Sequence, residues 1–469
     1  MELTVVRVPE WPSLAWVAEC RGNLITANIG SRVEVGDGWL AEAAWAGPFA
    51  DGDFDRTDIV SGTGVRVRDE RAVFVSSGST IDRLQSMRTE HATYVSNTLP
   101  GLLAFAGSSL LLSCTSYSDI FASIVHGIAR YERDLPTSGG PVRLHYFANV
   151  EWDGATLRDV EKPFGSRDFS SFEKYRAFLA EAIGGLAENG RAAERRHPIG
   201  LMSSLSSGYD SAVGAVLAHE AGGRDAFGFD ADSGGRDDDA TPLAEALGLD
   251  FHLLESADAP RADLLFLAAG VGHGGEAILR RAESFLAGRL VLFGHWGDAI
   301  WGFAETDTGP DLVRWGTSGT SVLEYRLVAG FLQCPVPVLG GRQIADVRRI
   351  GRDPEMEPWS VGGDYDRPVA RRIIEEAGVP RNAFATRKRG VLMRQPKPND
   401  FLTPELREDY LRWLRVQRWS FARQRTIPAS STWDKLTLLR GVDPGLRRRL
   451  HRYVSHWAID RTKDRYPRP

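Results

Sequence analysis

The segment HPIGLMSSLSSGYDSAVGAVLAHEAG, residues 197–222, followed at once by DAFGFDA, constrains this chain more than any other stretch. It reads as an apolar strand, a loop of small residues, a helix and a second apolar strand, and a further helical stretch spans Ala240 to Leu247. Strands that alternate with helices build a parallel, doubly wound sheet, with its ligand off the carboxyl ends of the strands. The expectation is an α/β domain with a site at residues 205–211.

The small residues Ser206, Ser207 and Gly208 let backbone N–H groups approach an anion closely, and the helix expected to start near Ser211 adds its positive end. Such a loop can cradle pyrophosphate. Asp210 places a carboxylate beside those phosphates, where it can hold Mg2+ but not phosphate itself, while Ser206 and Ser211 supply hydroxyls. The missing GK[ST] ending argues against a Walker-type loop. A Ser- and Gly-rich turn without ligand is the plain alternative.

A chain of 469 residues exceeds what one core usually supports, so two domains are expected, over 1–165 and 166–469. The first alternates short β-rich runs (LTVVRV, SLAWVAEC, LITANI, RAVFVSS, SLLLSC) with turn residues, and helices are expected near Ser86 to Thr98 and Tyr117 to Arg130. An α+β layered domain fits these better than a plain barrel. Ser170, Ser171 and Glu173 make a helix start for the second domain, with Phe172, Tyr175, Phe178, Leu179, Ile183 and Leu186 at helical spacing.

Net charge −5 gives no global pull toward nucleic acid or anionic membrane. The stretch after Phe401 is locally basic and carries Trp413, Trp419, Trp433, Tyr453 and Trp457. That mixture can stack on single-stranded nucleic acid, but helices whose Arg stems cover apolar surface explain it as well. Cys20, Cys114 and Cys334 form neither a disulfide framework nor a metal motif, which suggests a reducing, cytoplasmic setting. Neither a signal peptide nor an apolar run long enough to span a membrane is evident.

SLSSGYDS resembles the SGGxDS signature of the PP-loop ATP pyrophosphatases, and three further segments resemble their asparagine synthetase branch. FGFDADSGGRDDDATPLAEALGLDFH is similar to the second strand and following helix. VLFGHWGDAIWG is similar to the SGEGxDExFxG turn, and YDRPVARRIIEEAGVPRNAFATRKRG to the stretch that ends in the catalytic lysine. In the family's order, these span Pro198 to Gly390. The resemblance implies ATP binding by Leu205, Ser206, Ser207, Gly208, Asp210, Ser211, Gly228, Phe229 and Gly294, and Mg2+ binding by Asp210 and Asp298. Lys388 would stabilise charge on the reacting centre, although alone in ATRKRG it reads equally as a solvated cation.

The chain departs from that pattern at His295 and Ala299, where asparagine synthetase keeps glutamates. The position of His295 faces the activated carbonyl in the family, so an imidazole there could take a proton from an attacking amine or orient it. Glu324 is a candidate carboxylate partner for it; a histidine that merely fills the turn is the alternative. TYVSNTLPGLLA resembles the family's amino-terminal glutaminase of Ntn-hydrolase type, but Glu2 stands where that chemistry needs cysteine, so no glutamine hydrolysis is expected.

The resemblance therefore implies an AMP-forming amide ligase. It would adenylate a small-molecule or peptide carboxylate for an external or intramolecular amine, as β-lactam synthetases and lasso-peptide cyclases do. A homo-oligomer and a carrier or precursor-peptide partner both stay open. Two other classes are a nucleotide-binding relative without catalysis and a sulfur transferase, for which only Cys334 lies beyond the loop within the synthetase-like region.

Overall fold

The computed structural model describes the chain except residues 115, 233–234, 257–263, 271–274, 303–308, 364, 385–401 and 424–452; at 275 and 418–423 only the backbone is described. The first 161 residues supply thirteen strands: β1 Glu2–Arg7, β2 Trp16–Arg21, β3 Leu24–Ile29, β4 Glu34–Gly36, β5 Trp39–Trp45, β6 Val60–Arg68 and β7 Arg71–Val75, then β8 Leu84–Arg88, β9 Thr93–Ser96, β10 Asp134–Leu135, β11 Val142–His145, β12 Ala148–Trp152 and β13 Leu157–Glu161. They form a seven-stranded sheet ordered β1-β3-β2-β9-β8-β11-β10 and a six-stranded sheet ordered β13-β12-β7-β6-β5-β4. All pairings are antiparallel except β1 with β3.

Period-two alternation decides which side chains meet between these sheets. Trp16, Ala18 and Cys20 of β2 and Ile25, Ala27 and Ile29 of β3 face Leu40, Val65, Phe74 and Val150 of the second sheet. Helix Leu99–Ala106 packs on β2, β8 and β9, and helix Phe172–Gly190 packs on β5, so the region is layered α+β.

Two local expectations give way here. Residues 86–98 are not a helix but the hairpin β8–β9, whose turn is closed by the Thr89 hydroxyl accepting from the amides of His91 and Ala92. SLLLSC is not a strand: Leu110 makes an isolated bridge to Thr137 and the chain then turns. Gly107, at φ 64°, has just ended the preceding helix, and the Ser108 and Ser109 polar groups bond Thr137 and Ser138 locally. The helix expected from Tyr117 runs to Ala122 and tightens to a 3-10 turn over Ser123–His126, ending at Gly127 with φ 97°.

Five strands follow, β14 Gly200–Ser204, β15 Asp225–Phe229, β16 Asp250–Leu254, β17 Arg289–Phe293 and β18 Leu332–Pro335. All are parallel, ordered β16-β15-β14-β17-β18. The Ser171 side chain caps helix Phe172–Gly190, as its position before Phe172 and Glu173 suggested. Helices Tyr209–Glu220 and Thr241–Ala246 also fall where apolar spacing put them. The strand order reverses direction between β14 and β17, so the crevice of this sheet opens at their carboxyl ends.

The two regions are joined through buried charge. Arg326, on helix Leu323–Ala329, donates to Glu42 at 2.7 Å and to Asp82 at 2.8 Å, and all three side chains are shut from solvent. The tail returns to the first region: Trp11 Nε1 donates to Pro467 O at 3.0 Å, and the Thr98 hydroxyl lies 2.9 Å from that of Tyr466. Trp413 and Trp457 are buried, their indoles donating to Asp460 and Asp409, so these two aromatics are core. The side chain of Trp419, and Trp433 entirely, lie outside the described residues. No helix among the described residues is long and apolar enough to cross a membrane.

Candidate functional site

The loop after β14 is shaped by its own small side chains. Leu205 N donates to Phe227 O at 2.7 Å and extends the sheet; the chain then leaves for the helix that begins at Tyr209 behind an extended Gly208. Each amide along the loop has a protein acceptor. Ser206 N donates to Ser211 Oγ at 3.0 Å, Ser207 N to Asp238 Oδ1 at 3.1 Å, Gly208 N to Ser206 Oγ at 3.3 Å and Tyr209 N to the Tyr365 hydroxyl at 3.2 Å. Ser207 Oγ also donates to Asp238, at 2.5 Å. A carboxylate and a phenol oxygen therefore stand where the loop's N–H groups point.

Asp210, in the first turn of the helix, forms an ion pair with Arg367. Arg367 is placed by Pro368, which opens helix Pro368–Glu376, and its guanidinium lies 4.6 Å from the Tyr365 ring centroid. Burial works against its charge, but Asp210, Tyr365 and Asp298 together hold its pKa above the usual arginine value. Asp298, in the turn after β17, also favours that charge through space, and its turn packs closely on Asp210. Glycines permit this approach. A methyl at Gly294 would lie 2.5 Å from the Asp210 backbone, and one at Gly297 would collide with the Asp210 carboxyl. Between them Trp296 adopts φ 78°, a conformation that costs a non-glycine residue about 1–3 kcal/mol and persists only where the surroundings impose it.

Two of the expected ATP contacts, Gly228 and Phe229, lie at the end of β15. Gly228 is packed so closely on Leu205 O and the Phe251 ring that no side chain fits there. The Phe229 ring belongs to the apolar cluster with Phe227 and Phe293.

His295 stacks on Phe293 with ring centroids 4.9 Å apart. Burial first, then Arg314, depress its pKa to about 4, with Asp298 pulling the other way, so the imidazole is neutral at pH 7. Glu324 is not brought onto it: its oxygens accept from the Thr98 hydroxyl at 2.8 Å and from Leu99 N at 3.1 Å, at the start of helix Leu99–Ala106. Burial pushes that carboxyl up to about 7. Glu324 is thus a buried helix cap, and its spacing from His295 in sequence carried no information about this. Lys388 lies outside the described residues.

Sequence reading missed Asp238, Tyr365, Arg367 and Arg314. Only Arg367 left a local signal, as the residue before a helix-opening proline. A separate constellation, Ser86 Oγ to His145 Nε2 at 2.8 Å and His145 Nδ1 to Asp159 Oδ1 at 2.6 Å, has the order of a nucleophilic triad. Ser86 and His145 are buried, however, and Asp159 is drawn to Arg133 and Arg143, so the group ties β8 and β11 of the first sheet to β13 of the second.

Among the described residues no cluster of three or more His, Cys, Asp or Glu could hold a metal by itself. Two carboxylates suit Mg2+, which takes one or two and leaves its remaining positions to water and phosphate. No protein-family model matches the chain, and no curated protein matches it either.

Proposed function

We propose that the chain is an AMP-forming amide ligase of the PP-loop, asparagine synthetase-like kind, with a first domain of Ntn-hydrolase-like layering that serves as a platform. The observation that carries this reading is the close packing of the Asp298-bearing turn on Asp210, at the reversal point of the parallel sheet and beside the loop of residues 205–209. Asp210 and Asp298 would hold Mg2+, which when bound would neutralise the phosphates and polarise them for displacement. On this reading the amides of residues 206–209 exchange their present protein acceptors for the phosphate oxygens of ATP.

The substrate carboxylate attacks the α-phosphorus and pyrophosphate leaves; an amine then attacks the acyl carbon and AMP leaves with the bonding pair. His295, neutral at pH 7, accepts a hydrogen bond from the amine and orients it for attack; its low pKa makes it a weak base. Lys388 is assigned to the developing charge by resemblance alone.

A nucleotide-binding protein without catalysis is the second reading, favoured by the protein groups that already fill the loop. Sulfur transfer is disfavoured, because Cys334 is buried in β18 and its thiol is pushed up to about 12.

Carboxylate-dependent exchange of pyrophosphate into ATP, measured over a panel of amino acids, sugar acids and peptides, tests the assignment. Wild-type protein is expected to exchange with a particular acid, and Asp210→Asn or Asp298→Asn to lose about 10²–10³-fold or more. Full exchange in either variant would remove that residue from the metal site. ATP binding without exchange by any acid would favour the second reading.

A further inference from the structure

We propose that Arg314 is the anchor for a non-reacting carboxylate carried by one of the two organic substrates. This deepens the ligase reading and rests on it. Arg314 is only 8% exposed, and its guanidinium lies 4.9 Å from the Trp296 ring centroid, in the turn that carries His295 and Asp298. Gly319, a few residues on, lies against the His295 ring. Arg314 also acts through space on the His295 imidazole, with Asp298 acting in the opposite sense. It therefore stands at the His295 side of the site, where on the ligase reading the acyl group and amine meet.

Its hydrogen bonding is incomplete in a specific way. Nη1 donates to Ser318 O at 3.1 Å, but Nε and Nη2 have no hydrogen-bond partner among the described residues. Those two nitrogens share one edge of the guanidinium, the edge whose parallel N–H bonds match the two oxygens of a carboxylate. A buried donor left unmade costs about 1–3 kcal/mol, more when charged, so a pair of them on one edge marks a position kept for an acceptor.

The acid that acts on Arg314 does not supply it. Glu276 attracts Arg314 through space, but its own oxygens accept from Gly319 N and Ser321 Oγ. Burial lowers the Arg314 pKa only to about 10, so it remains cationic at neutral pH.

The first region holds this residue in place. Arg314 N donates to Val125 O at 2.9 Å, and Asp311 takes the amides of Ile128 and Ala129. The segment carrying the anchor is thereby braced on residues 125–129, which gives the platform domain a role in substrate binding.

The carboxylate could belong to the acid being activated or to the attacking amine, and two kinetic arms separate these sources. In pyrophosphate exchange, which needs only the acid, candidate diacids and amino acids are compared with their derivatives in which the non-reacting carboxylate is a primary amide. In amide formation, amino-acid amines are compared with their carboxamides. Arg314→Met is expected to raise KM for the carboxylate form about 10- to 100-fold in one arm, with kcat little changed and the amide form unaffected. Equal losses for both forms would mean a structural role beside Glu276 and would overturn the proposal.

Arg314→Lys keeps the charge if the methionine variant does not fold; it should still lose carboxylate discrimination, and unchanged discrimination would sink the bidentate anchor. A third arm needs no turnover. The melting temperature of the wild type should rise with the same carboxylates and not with their amides, and the rise should vanish in both variants. A wild type that does not exchange but shows this pattern would refute the ligase reading and leave the anchor standing; no carboxylate-dependent rise would refute the anchor.

Discussion

At the scale of single residues, burial decides more than residue type. His295 is held near pKa 4, against about 6.5 for an exposed imidazole, chiefly because its charged form is cut off from water. Between those values the unfolded chain binds the proton that the folded chain refuses. The stability from keeping His295 neutral is therefore full above pH 6.5 and lost as pH falls toward 4, by about 3 kcal/mol at most. Urea unfolding at pH 7 and pH 4.5 should show a smaller loss on acidification for His295→Phe than for wild type; parallel losses would show that another group carries the acid sensitivity. The sequence singled out Asp210, His295 and Asp298 because each sits inside a run of recognisable spacing. It could not reveal Asp238, 31 positions from Ser207, or Tyr365, 156 from Tyr209, because contacts made by folding leave no local pattern.

At the scale of elements, the turn after β17 and the loop after β14 are fitted to each other through glycine. Gly297→Ala should force the Asp210 carboxyl out of place and lower pyrophosphate exchange about 10²-fold, whereas Gly316→Ala, whose added methyl meets open space, should change nothing. Melting curves run beside the exchange assay separate displacement from unfolding; an active Gly297→Ala would show that the close approach is not needed. The parallel strands and their helices were legible because apolar runs, a small-residue loop and helical spacing agree over residues 170–247. The hairpin at residues 84–96 was not, because its turn depends on one threonine hydroxyl and its strands are short.

At the scale of the whole molecule, the two regions are bound by the buried Arg326, Glu42 and Asp82. Burial works against the Arg326 charge, but Asp82 and Glu42 hold its pKa well above the usual value. Arg326→Met would leave two buried carboxylates without their counter-ion and should cost about 3–5 kcal/mol in urea unfolding; a loss below about 1 kcal/mol would show that the carboxylates find other partners or protonate easily. A division near residue 165 was visible in the change from β-rich runs to alternating helices and strands, but the charges that cross it were not. Glu42, Asp82 and Arg326 each sit in unremarkable local sequence.

The tail contacts carry a consequence in time. Pro467 meets Trp11 across 456 positions, and Tyr466 meets Thr98 across 368. On a ribosome, the strands around Trp11 and Thr98 emerge and pair long before the residues that close over them are made. The first region must therefore persist with one face uncovered until these distant residues are made.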